Sequence, residues 1–135
     1  MKKVKITLKS LTEADGARDE QSFCYEGEYD RKNEADYLKY SELTDGAKIN
    51  TVIKATDSAA VITRTGSVGS VLKIENGKVN KTEYKTPYGV FQMATRGELL
   101  ENKLSLCGTL KIGYMLLNEG GVIGKNQIEI NIKEV

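Results

Sequence analysis

The residues best suited to bind a small molecule are two arginines and two tyrosines in the middle of the chain: Arg64, Tyr84, Tyr88 and Arg96. A guanidinium stays protonated and presents a planar fork that matches a carboxylate or a phosphate. A tyrosine combines an apolar ring with a hydroxyl at its tip. We therefore take these four as candidate ligand-binding residues for a small molecule that is partly apolar or anionic.

Arg64 is the most informative of the four because of the segment that carries it. In the sequence AAVITRTG, Arg64 shares one face with Ala60 and Ile62, whereas Val61 and Thr63 occupy the other. Alternation alone does not decide which face points inward. If Ile62 is inside, Arg64 is inside too, and a buried guanidinium must be paired or hydrogen-bonded. Its partner is then a ligand or a glutamate of the barrel; in the opposite orientation Arg64 is a solvated residue at a strand end.

The two tyrosines flank Pro87, the only proline of the chain, in the segment YKTPYG (84–89). Proline fixes its own φ, pushes the preceding residue toward extended geometry and cannot donate to a strand ladder. Gly89 can adopt φ values that other residues avoid. The segment therefore predicts a corner between two strands, with Tyr84 and Tyr88 packing from either side. The alternative is a rim that also contacts a ligand.

One absence narrows the chemistry: the chain contains no histidine. The usual general base near neutral pH and the most common metal ligand are therefore missing. We expect no enzyme activity, no metal and no cofactor. Cys24 and Cys107 are too far apart for a metal-ligand motif, and we expect both to be buried or half-buried thiols.

Charge and composition indicate which partners the protein can bind and in which compartment it works. Acidic and basic residues nearly cancel, leaving a net charge of +1, and there is no tryptophan. This argues against a basic, aromatic nucleic-acid groove. No apolar run is long enough to span a membrane, and the N-terminal MKKVKITLKS lacks the apolar core of a secretory signal. We expect a cytoplasmic protein that binds neither nucleic acid nor membranes; the oligomeric state stays open.

Apolar and polar residues alternate with a period of two along much of the chain, which is typical of strands with one buried face. KVKITLK near the N-terminus and QIEINIK near the C-terminus show this most clearly. The same alternation predicts further buried faces, made of Phe23, Tyr25 and Tyr29; Phe91 and Met93; Leu104 and Leu106; and Leu110, Ile112, Tyr114 and Leu116. Glu26 and Glu28 lie opposite the aromatic face, so we expect them to face water.

Turn signals separate these segments: Asp15-Gly16, Asp45-Gly46, Asn76-Gly77 and Gly120-Gly121. Asn76-Gly77 is the strongest and predicts a type I′ hairpin turn, in which both central residues have positive φ. Two segments, RKNEADYLKYSEL and TRGELLENKLSL, are compatible with either a helix or a strand.

Many short strands joined by tight turns favour an antiparallel sandwich or a closed barrel, and consecutive hairpins favour the barrel. We therefore predict an all-β fold in which residues 1–135 form one domain. The domain is a single antiparallel up-and-down β-barrel of about eight or more strands. Such a barrel encloses either packed side chains or a cavity for a small ligand.

Five segments carry a family resemblance: ITRTG (62–66), ENGK (75–78), YKTPYG (84–89), LKIGYMLL (110–117) and NEGGVIGKNQIEINIKE (118–134). With them the chain resembles the YwiB-like family of uncharacterised bacterial proteins. The most specific part is the arginine-glycine strand end that precedes Tyr-x-Thr-Pro-Tyr-Gly. The resemblance implies a calycin-type, lipocalin-like barrel and a bacterial cytosolic setting. It identifies no catalytic or ligand-binding residues.

Two functions fit this reading. The first is a non-catalytic binding module that holds a small ligand in the barrel lumen or mouth, and it requires a cavity of roughly a few hundred cubic ångströms. The second is a structural or protein-interaction barrel with a packed interior and no small-molecule ligand.

Overall fold

The chain forms a closed antiparallel β-barrel of ten strands in the computed structural model, which describes residues 1–44 and 46–135. The strands are β1 (Lys2–Ala14), β2 (Ala17–Lys32), β3 (Ala35–Thr44), β4 (Ala47–Ala55), β5 (Ala59–Gly66), β6 (Gly69–Glu75), β7 (Val79–Thr86), β8 (Gly89–Lys103), β9 (Thr109–Asn118) and β10 (Gly121–Glu134), and one helical turn, α1 (Leu104–Cys107), joins β8 to β9. Successive strands pair with each other, and β1 pairs with β10 to close the barrel. The predicted all-β, up-and-down barrel is confirmed. No helix in this described part of the chain is long and apolar enough to cross a membrane.

The two ambiguous segments are mostly strand. RKNEADYLKYSEL spans the end of β2, a tight turn and β3, whereas TRGELLENKLSL continues β8 as far as Lys103. The strand predicted through Leu104 and Leu106 is wrong, because both residues belong to α1. Leu104 is buried under the barrel and Leu106 is 84% exposed. A helical turn directs residues two apart to different sides, which breaks the alternation.

The predicted hairpin turns have mixed outcomes. Asp15 and Gly16 both have positive φ, 52° and 75°, as a type I′ turn between β1 and β2 requires. At Asn76-Gly77 the type I′ prediction is wrong, since the positive φ is confined to Gly77 and Asn76 forms a bridge with Gly97.

Three further turns can be compared with the turns predicted from the sequence. The last hairpin turns between Asn118 and Gly121, as expected, with Gly121 at φ 106°. Between β2 and β3, the unforeseen pair Asn33 and Glu34 adopts positive φ at both positions. Asp45, half of the predicted Asp45-Gly46 turn, lies outside the described residues.

The segment YKTPYG turns a corner, as predicted. Pro87 and Tyr88 form the turn between β7 and β8, and Gly89 has φ 136°. The Thr86 hydroxyl braces the turn, because its Oγ1 accepts a hydrogen bond from the Tyr88 amide (3.1 Å) and donates one to the Gly89 carbonyl (3.2 Å).

The core fills the barrel near α1, which we call the lower end; the β1–β2, β5–β6, β7–β8 and β9–β10 turns lie at the opposite, upper end. The core side chains are Val4, Ile6, Leu8, Leu38, Ile53, Ala55, Ala60, Ile62, Ile74, Leu104, Leu110, Ile112, Tyr114 and Ile130. Tyr25 and Tyr29 pack against this cluster, whereas Glu26 and Glu28 are exposed on the opposite face, as alternation predicts.

Three burial predictions are wrong, the first being that of Phe23, which is 38% exposed. Cys24 and Cys107 are both free and exposed, because Cys24 lies on the outward face of β2 and Cys107 ends α1. Phe91 and Met93 are not core residues: Met93 is half-buried and Phe91 is 48% exposed. Phe91 is on the inward face but close to the upper end of β8, where the core cluster does not extend.

A buried carboxylate fastens the lower end. Asp36 is 1% exposed and accepts hydrogen bonds from the Tyr29 hydroxyl, the Arg31 guanidinium (2.9 and 3.0 Å) and the Asn102 amide (2.8 Å). Asn102 also accepts a hydrogen bond from the Leu104 amide, which starts α1. Burial, followed by the hydrogen bond to Asp36 and its negative charge, raises the pKa of Tyr29 to about 12.

A glycine marks a close approach of β6 and β8. A Cβ atom at Gly97 would overlap the carbonyl of Glu75, whereas one at Gly69 would make an ordinary 3.6 Å contact with the Lys85 side chain. We predict that Gly97→Ala lowers the free energy of unfolding by about 1–3 kcal/mol. Gly69→Ala, the control, changes it by less than about 0.5 kcal/mol in urea unfolding. Equal effects of the two variants would contradict the close approach of β6 and β8.

The raised pKa of Tyr29 predicts a loss of stability at high pH. The unfolded chain releases this proton near pH ~10, before the folded protein does. Above that pH the folded state holds more protons, so the stabilisation is complete below pH ~10 and declines as the pH rises toward 12. Urea unfolding across this range should show a shallower decline for Tyr29→Phe than for the wild type. Tyr88→Phe, which alters a 93% exposed side chain, should keep the wild-type slope.

Candidate ligand-binding site

Arg64 points into the barrel as part of a continuous inward row. Residues directly opposite each other on antiparallel strands share a face. The register therefore places on one row, from β3 to β8, Tyr40, Thr51, Arg64, Ser70, Tyr84 and Phe91. Ile62, two residues before Arg64, is 5% exposed in the core, which settles the orientation that the sequence left open.

The Arg64 side chain pairs with a glutamate of the barrel. Its Nη2 donates to Glu42 Oε1 at 2.7 Å, with the two side chains 30% and 20% exposed. The Tyr25 hydroxyl donates to the other carboxylate oxygen, Oε2, at 3.1 Å. Among the residues that the structure describes, Glu42 is the one hydrogen-bond partner of Arg64. Most of the guanidinium N–H groups are therefore available to another acceptor.

Three tyrosines around this pair keep their protons near neutral pH. Burial, then the charge of Glu42 and its hydrogen bond, raises the pKa of Tyr25 well above its usual range. Burial and the charge of Glu42 also raise the pKa of Tyr40, and burial raises that of Tyr114. The Tyr25 and Tyr40 rings stack with centroids 4.7 Å apart. Near neutral pH these side chains are therefore uncharged, and Tyr25 donates its hydroxyl proton to Glu42.

Two buried hydroxyls flank Arg64 on the neighbouring strands. Thr51 lies directly opposite Arg64 on β4, and Ser70 lies opposite it on β6. They are 2% and 6% exposed, and neither Thr51 Oγ1 nor Ser70 Oγ has a hydrogen-bond partner within the described part of the chain. The Thr51 hydroxyl is close enough to the Tyr40 hydroxyl to lower the pKa of Tyr40, which partly opposes the effect of burial. The geometry between the two groups is nevertheless outside that of a hydrogen bond.

Toward the upper end, three aromatic side chains on the inward face are only partly covered by the rest of the barrel. We define the mouth by Phe23, Tyr84 and Phe91, which share the inward face and are only partly covered. Phe23 is 38% exposed, Phe91 is 48% exposed, and Phe23 stacks on Tyr25 at 6.0 Å between centroids. The polar row with Arg64 therefore lies next to exposed apolar surface, as an amphipathic ligand requires.

A groove in the barrel wall also reaches Arg64. In the described residues, β6 and β7 pair only at Gly69–Lys85 and Ser70–Tyr84. Farther along the seam the Thr82 hydroxyl donates to the Val71 carbonyl at 2.5 Å. The Thr95 hydroxyl of β8 similarly donates to the Lys73 carbonyl at 2.8 Å. A groove of about 500 Å³ follows this seam, and its lining includes Arg64 and Ser70.

The four residues predicted from the sequence separate into two groups. Arg64 and Tyr84 lie on the same inward row, two strands apart. Tyr88 is at the tip of the β7–β8 turn and is 93% exposed. Arg96 is on the outward face of β8, where its guanidinium contacts Met115 Sδ at 3.0 Å. The structure does not bring these last two residues to the site.

Three residues of the site escape prediction from the sequence: Tyr25 is predicted as a core residue, and no pattern singles out Glu42 or Thr51. Glu42 lies in a segment that also fitted a helix, and Thr51 and Ser70 meet Arg64 only through the register. The one available signal was the rule that an inward arginine needs a carboxylate partner.

The Arg64–Glu42 pair can be tested by a double-mutant cycle. Each of Arg64→Met and Glu42→Leu leaves a half-buried charge without its partner, so we expect each to lower the free energy of unfolding by about 1–3 kcal/mol. The double variant should lose less than the sum of the two. The control is the Arg18–Glu20 pair, in which the nitrogen and oxygen atoms are 3.0 Å apart but the side chains are 62% and 68% exposed, so its coupling should be near zero. Additive effects at Arg64 and Glu42 would show that the two side chains do not interact.

Comparison with known proteins agrees with this architecture. Residues 6–130 match the model of a family described as a domain of unknown function, DUF1934. The chain is 26% identical over 112 residues to the uncharacterized beta-barrel protein YwiB of Bacillus subtilis (strain 168), covering 82% of this chain and 79% of that protein. The crystal structure of the ywiB protein from Bacillus subtilis superposes with a TM-score of 0.82 at 23% identity, over 96% of this chain and 91% of the other. The ten-stranded barrel, with the resemblance seen in its sequence, therefore belongs to the DUF1934 family, which includes YwiB-like β-barrel proteins of unknown function.

Proposed function

We propose that this barrel is a non-catalytic binding module for a small, partly apolar molecule, held in the mouth with its polar end toward Arg64. One observation carries the proposal: the half-buried Arg64–Glu42 pair lies beside inward aromatic residues that the core leaves partly uncovered. A charged group adjoining exposed apolar surface matches the usual character of small-molecule sites, which are mostly apolar with a few placed polar groups.

Protein stability alone does not explain well why the Arg64–Glu42 pair lies in the barrel interior. Desolvating two charges offsets most of their attraction, so a hydrophobic pair of similar volume serves a barrel interior as well or better. The core cluster around Ile62 follows that pattern, with aliphatic residues such as Ile53 and Ile74 on the inward face, whereas the buried Asp36–Arg31 pair at the lower end departs from it. An arginine two residues beyond Ile62 is better explained by recognition than by packing.

The chemistry of the site supports binding without catalysis. The tyrosines nearest Arg64 have pKa values shifted away from neutrality, so none of them is poised to take a proton. The chain has no histidine to do so. We propose the cytoplasm as the compartment, supported by two exposed free thiols, which a reducing environment preserves. The calycin-type barrel that the sequence resemblance implies would add support by analogy of fold alone.

The alternative function is a structural or protein-interaction barrel without a small ligand. The filled lower half of the interior favours it, because the core side chains occupy space that a ligand in the lumen would need. The same experiment separates the two functions.

Ligand-observed saturation-transfer NMR with a library of small aryl and alkyl compounds tests the binding function. Compounds that bind the wild type should lose their signal in the variant Tyr84→Ala/Phe91→Ala, because the mouth loses its apolar walls. Val79→Ala is the control: Val79 is also apolar and 57% exposed, but on the outward face of β7, so it should keep wild-type binding. Absence of any binder, or equal binding by the mouth variant and the control, would favour the structural role.

A further inference from the structure

We infer that the polar end of the ligand is an oxyanion, a carboxylate or a phosphate, bound jointly by the Arg64 guanidinium and the hydroxyls of Thr51 and Ser70. The inference rests on the proposed function and specifies the ligand class of the same site. It is carried by three donors that the register places side by side on β4, β5 and β6.

The two hydroxyls are the decisive observation. Both are more than nine-tenths buried, and both lack a hydrogen-bond partner among the described residues. Buried polar groups are nearly always hydrogen-bonded, so two such groups on either side of one arginine call for an acceptor. Neighbouring strands are about 4.8 Å apart, so each hydroxyl lies on a strand directly beside the one that carries Arg64.

The arginine supplies the charge and the directionality. Arg64 uses Nη2 for Glu42, which leaves other N–H groups of the planar fork for a second acceptor. An oxyanion accepts several hydrogen bonds at once, and those from a guanidinium are stronger than neutral ones. A neutral hydroxyl or ketone on the ligand would satisfy fewer of these donors.

The wall groove adds positive charge on the outside of the barrel. Its lining includes three lysines, Lys73, Lys81 and Lys85, against one acid, Glu83. These four residues lie on the outward faces of β6 and β7. Lys73 pairs with Glu75 at 3.6 Å, and Glu83 accepts a hydrogen bond from Gln92 at 3.1 Å. The net positive charge of this outer surface therefore favours an anion over a cation at Arg64 only at longer range.

Three probes that share one ring test the inference by isothermal titration calorimetry: benzoate, phenyl phosphate and benzyl alcohol. The wild type should bind at least one of the two anions more tightly than the alcohol, and the preferred anion tells a carboxylate ligand from a phosphate ligand. Inorganic phosphate alone should compete with phenyl phosphate if the phosphate is the recognised group. Arg64→Lys keeps the charge but loses the fork, so it should weaken the anions about tenfold or more.

The hydroxyl variants separate recognition from structure. Thr51→Val/Ser70→Ala should weaken the preferred anion about tenfold or more, because it removes two donors to a charged group, and should leave benzyl alcohol unchanged. It should not lower the free energy of unfolding, since hydroxyls without a partner contribute no hydrogen bond to the folded state. Thr7→Val, which alters an outward threonine of β1, is the control for both measurements.

Each outcome is decisive. Equal affinity for benzyl alcohol and both anions, or anion binding that survives Thr51→Val/Ser70→Ala, overturns the oxyanion site and leaves the mouth as a general apolar site. If Thr51→Val/Ser70→Ala loses stability but keeps its anion affinity, the two hydroxyls stabilise the fold and do not bind the ligand, which also overturns the oxyanion site. Failure of all three probes, together with a library screen that finds no binder, overturns the proposed function itself.

Discussion

The pairing register of the strands is the constraint on which the rest of the molecule depends. Side chains alternate between the two faces of a strand, so a slip of one residue would exchange the inside and the outside of the barrel. Closure of β1 against β10 fixes that register around the whole circumference. It is the register, and not nearness in sequence, that brings Thr51 and Ser70 to either side of Arg64.

Within one strand the interior changes character over a single step. Ile62 belongs to the core and Arg64, on the same face of β5, belongs to the polar row. Below this point the interior is closed by apolar packing, the Asp36 hydrogen bonds and α1. Above it, Phe91 and the other mouth residues remain partly solvated. The rigid lower half thus holds the upper row in place without filling it, an arrangement suited to a preorganised site.

The barrel could be predicted from the sequence because its signal is local: period-two alternation and tight turns appear within a few residues of each other. Arg64 could be identified for the same reason, since its position relative to Ile62 is a local fact. Its partner could not, because Glu42 and Arg64 meet only through side chains 22 positions apart. The burial predicted for Phe91 is wrong because alternation gives the face of a residue but not its height in the barrel. The binding role predicted for Arg96 is not supported because one strand alone does not show which of its faces points outward.

The short ladder between β6 and β7 affects how easily the barrel wall opens locally. Separating most pairs of neighbouring strands breaks a long ladder of backbone hydrogen bonds. The ladder between β6 and β7 is short, and the carbonyls of β6 instead accept hydrogen bonds from the hydroxyls of Thr82 in β7 and Thr95 in β8. Rotation of a side chain is faster and less costly than unzipping a backbone ladder. Fewer backbone hydrogen bonds therefore join β6 to β7 than join the other neighbouring strands, and we expect local opening of the wall to require less free energy there.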